Sequence, residues 1–197
     1  MKMAKKFLAV ALAGVLALSV LTGCGASVKS KDVAKALTKM NIKVEQSKDV
    51  DKTAENTLKA IEAIIDAKDN ADLKDDNANK IKLSNAVVAA DGKVIKSTGV
   101  VTAADTAGAV KKALGIDTKM ANVGKQIRVA LVETEDATKD ASLQAHRVEK
   151  ALFQAQAAEL GSGNDKVVAE TGKLGTATTK DGKYMLVVIV NDVVAKA

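Results

Sequence analysis

The chain of 197 residues has no tryptophan and no proline, one cysteine (Cys24), one histidine (His146) and few aromatic rings: Phe7, Phe153 and Tyr184. Each shortage removes a class of function. So few flat rings leave no platform for stacked bases, which excludes that mode of nucleic-acid binding and disfavours sugar binding for the same reason. A single cysteine forbids an intramolecular disulfide. A single histidine leaves a Ser/His/Asp triad one base to choose from, and no serine stands in a nucleophile-elbow context. It also leaves zinc without the Cys and His set that it favours. Gly99, Gly124, Gly172 and Gly175 are followed by no Gly-Lys-Ser/Thr ending, so there is no conventional phosphate loop. No cofactor is expected.

Charge excludes more. The formal net charge is +6, from 30 basic and 24 acidic residues, but Lys2, Lys5 and Lys6 crowd the first six positions. Without them 27 bases face 24 acids, a formal +3 that is interleaved along the chain and gives no electrostatic case for nucleic acid.

What is present begins at the N-terminus. The three lysines precede an apolar run from Phe7 to Val20, broken only by Gly14 and Ser19. That is the charge pattern and length of an export signal. As a helix, about fourteen residues span roughly 21 Å, short of the roughly 30 Å hydrocarbon core of a bilayer. Leu21, Thr22, Gly23 and Cys24 follow, and this stretch resembles the lipobox of bacterial lipoproteins at every position. The resemblance implies that a signal peptidase recognising Leu21, Thr22 and Gly23 cuts before Cys24, whose thiol carries a diacylglycerol. It implies a protein at the cell membrane, on its extracytoplasmic face, with the lipid on Cys24 as its membrane contact. Two or more acyl chains, at about 0.8 kcal/mol per buried methylene, anchor stably where one is marginal. A cysteine so modified is lost as a nucleophile.

The expected division is a signal peptide over 1–23, a lipidated cysteine and short tether over 24–29, and one α+β domain over 30–197. Gly25 to Lys29 would extend roughly 15 to 18 Å. The 174 residues after the leader suit one domain with a sizeable core.

Periodicity gives the element order. Ser30 followed by Val33, Leu37 and Met40 reads as a capped amphipathic helix, giving way near Asn41 to a short strand with Ile42 and Val44 inward. Ala54, Leu58, Ile61 and Ile65, widened by Ile64, place one apolar stripe on a helix over 50–67. Residues 66–80 read as an exposed loop. Asp91-Gly92 joins two Val-rich runs as a hairpin, and Asp105 caps a helix that stops at Gly115. Ile127, Val129 and Leu131 alternate as a strand. A helix is expected from Lys139 to Leu160, with Ala141, Ala145, Val148, Leu152 and Ala155 on its main face and Leu143, His146, Phe153 and Ala157 on a weaker one. Val167 and Val168 open a strand. Asp181-Gly182 turns a second hairpin, whose continuous apolar run Met185 to Val190 predicts a central strand buried on both faces. The sum is an α+β fold, a mainly antiparallel sheet with helices packed on it.

Two clusters are candidates for chemistry. His146 and Glu149 share a helix face and could be a base with its orienter or a pair of metal ligands; a packing or solvated histidine is the simpler expectation. Asp66, Asp69, Asp72, Asp75 and Asp76 with three asparagines offer oxygen ligands, but the Gly and terminal Glu of an EF-hand loop are absent and lysines intervene, so a solvated connector is expected. Neither predicts a metal site.

Lys173 to Ala177, Asp181 to Tyr184 and the run Met185 to Val190 also look like the closing hairpin of CAP-superfamily domains. That resemblance implies a secreted α/β/α sandwich whose relatives often set two His and two acids around a cavity, a set this chain cannot complete with His146 alone. The leading expectation is a non-enzymatic binding or interaction module with an unidentified protein or small-molecule partner. The alternative is a CAP-like or other small-ligand-binding or enzymatic domain with a cavity near His146 and Glu149.

Overall fold

The computed structural model describes residues 28–66, 86–88, 94–97, 112–115, 124–134, 140–153, 165–180 and 182–196. Three helices, α1 (Ser30–Lys39), α2 (Lys48–Asp66) and α3 (Ala141–Leu152), accompany seven strands among them. The strands are β1 (Val44–Gln46), β2 (Ala86–Val88), β3 (Val94–Ser97), β4 (Lys125–Glu133), β5 (Lys166–Val168), β6 (Gly172–Thr178) and β7 (Tyr184–Ala195). They form one sheet in the order β1-β6-β7-β4-β2-β3, with β5 paired to β7. Every pairing is antiparallel except β1 with β6. The expected α+β architecture is therefore the observed one.

The centre of the sheet is the apolar run. Residues Met185 to Ile189 of β7 are wholly buried, with β6 on one side and β4 on the other. Successive side chains of a strand point to opposite faces, so a run apolar at every position can be stable only with both faces covered. On one face Leu186 and Val188 meet Val50, Ala54, Leu58 and Ile61 of α2, together with Ile127 and Val129 of β4. On the other, Met185, Val187 and Ile189 meet Val33 and Leu37 of α1 and Ala145, Val148 and Leu152 of α3. The helices thus sit in two layers, α2 on one side of the sheet and α1 with α3 on the other.

Local signals explain most boundaries. α1 ends with Asn41 at φ 64, and the amides of Asn41 and Ile42 bond Thr38 O at 3.1 Å and Leu37 O at 3.0 Å. That is a Schellman closure with asparagine in the left-handed position that glycine usually takes. Asp140 caps α3, accepting from the amides of Ser142 at 2.9 Å and Leu143 at 3.1 Å. The second hairpin forms as expected, with Gly182 at φ 72 in its turn and Thr178 opposite Met185. β2 and β3 pair antiparallel on either side of Asp91-Gly92, which itself lies outside the described residues. So do most of the Asp-rich loop, Asp105, and Ala155 and Ala157. Gly115 has the positive φ of a helix stop, at 69°.

Three expectations are corrected. Ser30 does not cap α1: Lys29 holds the cap position without a side-chain bond, and the Ser30 hydroxyl turns to Asp51 and Thr176 instead. α3 stops at Leu152 rather than Leu160, with Phe153 as its cap residue. The weaker α3 stripe is not a second packed face, since Leu143 and His146 are exposed while Phe153 packs against the core. Val28, counted with the tether, is buried beside α1.

Candidate functional site

The expected pair of His146 and Glu149 lies on the outer side of α3. His146 Nδ1 stands 3.6 Å from Glu149 Oε2, beyond hydrogen-bond length, and the histidine side chain is 63% exposed. At that separation Glu149 does not hold the imidazole in place as the orienter of a general base would. No group of three or more His, Cys, Asp or Glu side chains is placed to hold a metal among the described residues. Replacing His146 with Ala is expected to change stability by less than about 0.5 kcal/mol. Thermal unfolding of the variant measures this, and a larger loss would mean that the imidazole has a partner beyond Glu149.

Two polar assemblies that sequence reasoning missed are better built. The first joins the start of α1 to the sheet edge. β1 pairs with β6 only as far as Leu174, leaving the next β6 amide without a strand partner. Asp51, in the first turn of α2, takes that place: its Oδ1 accepts from Thr176 N at 3.0 Å and from Ser30 Oγ at 2.6 Å, while Oδ2 accepts from Gln46 Nε2 at 2.5 Å. Ser30 Oγ and Thr176 Oγ1 lie 2.8 Å apart. A carboxylate accepting several hydrogen bonds ties α1, β1, α2 and β6 together at one point. Its chemistry is structural, because every oxygen it presents is already engaged by the fold.

The second assembly lies under α3. Ile127, Val129 and Leu131 of β4 face α2, so Gln126 and Arg128 face the α1 and α3 side. The Arg128 guanidinium sits 4.9 Å from the centroid of the Phe153 ring, and its Nη1 reaches Asn191 Oδ1 at 3.4 Å. Burial lowers the Arg128 pKa from its ordinary value, and Nε has no hydrogen-bond partner among the described residues. Among the described residues the cation is thus held by an aromatic face and an amide rather than by a carboxylate. The readable signal was an arginine at an inward position of a strand whose inward neighbours, Ala130 and Val132, are small and apolar. Alternation alone assigns such a position to solvent; it is α3 that covers it.

The lipobox residues Leu21, Thr22, Gly23 and Cys24 lie outside the described residues. No helix among the described residues is long and apolar enough to cross a membrane. In comparisons with known proteins the chain matches no family model, no curated protein and no solved structure.

Proposed function

We propose that this chain is a bacterial lipoprotein whose folded part is a binding or interaction module, held at the extracytoplasmic face of the cell membrane by acyl chains on Cys24. The observation that carries the reading is the sequence Leu21-Thr22-Gly23-Cys24 directly after a basic start and an apolar run too short to span a bilayer. The position of Val28 supports it. With Val28 buried in the core, three residues, or four backbone steps of at most about 14 Å in all, separate the lipidated cysteine from a fixed point of the fold. A tether that short confines the module to the membrane surface and raises its effective concentration toward anything else held there. The competing reading, a CAP-like or enzymatic cavity near His146 and Glu149, gains no support from a solvated imidazole 3.6 Å from its neighbour on an outer helix surface.

Cys24→Ser tests the anchor. Cells grown with a fatty-acid analogue are expected to label the wild-type protein in the membrane fraction and to leave the Ser variant unlabelled, either uncleaved or released. Label persisting in the variant, or an unlabelled wild-type protein in the culture medium, would remove the proposal.

A further inference from the structure

The helix that follows the tether carries an unbalanced row of charge. Lys31, Lys35 and Lys39 are spaced i, i+4, i+8 on α1 and all three are exposed, while Val33, Ala34, Ala36 and Leu37 are buried. At 100° per residue the lysines centre about 180° from the buried side chains, so they form one row on the outermost line of the helix. Segment 29–39 holds four lysines against the single acid Asp32, and its surplus of +3 equals that of the whole chain after the leader. α2, on the opposite side of the sheet, shows no such imbalance: exposed Lys48, Lys52 and Lys59 alternate with Asp49, Glu55 and Glu62. α3 packs beside α1 and adds exposed Lys150 and His146 to the same outer surface, with the half-buried acid Glu149 beside them and Leu143, one of the few large apolar side chains left exposed among the described residues.

The position of Val28 places this surface relative to the tether. Val28 is buried in the cluster formed by α1 and α3, not in the one under α2, so the chain enters the fold on the basic side. Val28 lies two residues before Ser30, the first residue of α1, so the point nearest the lipid is also the start of the lysine row.

We infer that the outer face of α1, extended by α3, is a docking surface for the anionic headgroups of the bilayer in which Cys24 is anchored. This rests on the lipid-anchor reading and adds an orientation to it: α1 and α3 toward the membrane, α2 away. Charge complementarity selects the occupant. A stretch of about 14 Å keeps the first lysines near the headgroups, and attraction to an anionic surface acts within about a Debye length, roughly 8 to 10 Å at physiological salt. An uncharged bilayer offers the lysine row nothing to bind.

The test uses the acylated mature protein added to preformed vesicles of phosphatidylcholine alone or of phosphatidylcholine with phosphatidylglycerol. Each lysine is probed by its rate of reaction with an amine-acylating reagent, read by mass spectrometry. On anionic vesicles Lys31, Lys35 and Lys39 are expected to react about fivefold more slowly than on neutral ones, a protection that 0.5 M salt removes, roughly as electrostatic attraction of surface lysines and its screening require. Lys52 and Lys59 on α2 are expected to react equally on both. A variant with Lys31→Glu, Lys35→Glu and Lys39→Glu, all exposed positions, should keep its fold and lose the difference at Lys29 and Lys150. Equal rates at the α1 lysines on both vesicles, or protection of Lys52 and Lys59 instead, would overturn the docking surface. The same spectra report the mass of the N-terminal peptide: an unmodified Cys24 overturns the anchor itself, whereas an acylated Cys24 with unprotected lysines overturns only the orientation.

Discussion

Val188→Asp is expected to yield no folded protein. Val188 is wholly buried on β7, with Val129 of β4 opposite it on one side and Gly175 of β6 on the other. Its side chain enters the core beneath α2, where Leu58, Ile61, Ile127, Val129 and Leu186 surround it. None of these offers a hydrogen bond to a carboxylate. An unpaired buried polar group costs several kcal/mol even when it neutralises itself by taking up a proton, against a total stability of about 5 to 15 kcal/mol for a domain. Circular dichroism decides the matter: a soluble variant with the native spectrum and an unshifted melting temperature would show that β7 is not the central strand.

Gly175→Ala is expected to fold but to lose much of its stability, for a reason of shape rather than polarity. A Cβ at Gly175 would stand 2.1 Å from the carbonyl carbon of Val50 and 2.2 Å from the amide nitrogen of Asp51. Both are backbone atoms of the first turn of α2, so no side chain can swing away to make room. The turn itself would have to lift from the sheet, and with it the Asp51 carboxylate that bonds Thr176 N and Ser30 Oγ. Overpacking against rigid atoms costs about 3 kcal/mol, and loss of the carboxylate bonds adds to it. For a domain of this size that lowers the melting temperature by roughly 6 to 12 °C. Gly182→Ala is the contrast. Gly182 has φ 72 with nothing within 4 Å of a Cβ, so only its left-handed conformation resists the substitution, at a cost of about 1 kcal/mol. If the two alanine variants melted together, α2 would not be seated on Gly175.

The Asp51 assembly shows how a local signal is overruled. A serine before an amphipathic run is a sound cap signal, yet Ser30 stands inside α1 and bonds residues 21 and 146 positions away. A capping hydroxyl accepts from an amide of the first turn, whereas the Ser30 hydroxyl donates its proton to the Asp51 carboxylate, a charge-assisted bond that fixes the side chain away from the helix end. The end of α3 follows the same logic. The apolar pattern runs on past Phe153, but that ring lies over the Arg128 guanidinium, 25 positions earlier in the chain.

What the sequence by itself determined is everything that depends on one segment and its nearest neighbours. The run Met185 to Val190 demands cover on both faces, Asp181-Gly182 demands a turn, and the stripe through Ala54, Leu58 and Ile61 demands a helix with one buried side. Each is a statement about local backbone preference or about side chains that share a face, and a few consecutive residues suffice to make it. Only the tertiary structure decided which elements meet. The parallel pairing of β1 with β6, the seat of α2 on Gly175, the bond from Asp51 to Thr176 and the cover over Arg128 join residues between 25 and 128 positions apart. Such contacts are selected by the packing of the whole chain, because a polar or small residue carries the same local pattern whether its partner is water or a distant backbone. The lysine row of α1 belongs to both: its spacing is written in the sequence, but only the burial of Val28 shows that the chain enters the fold on the side of the sheet where that row lies.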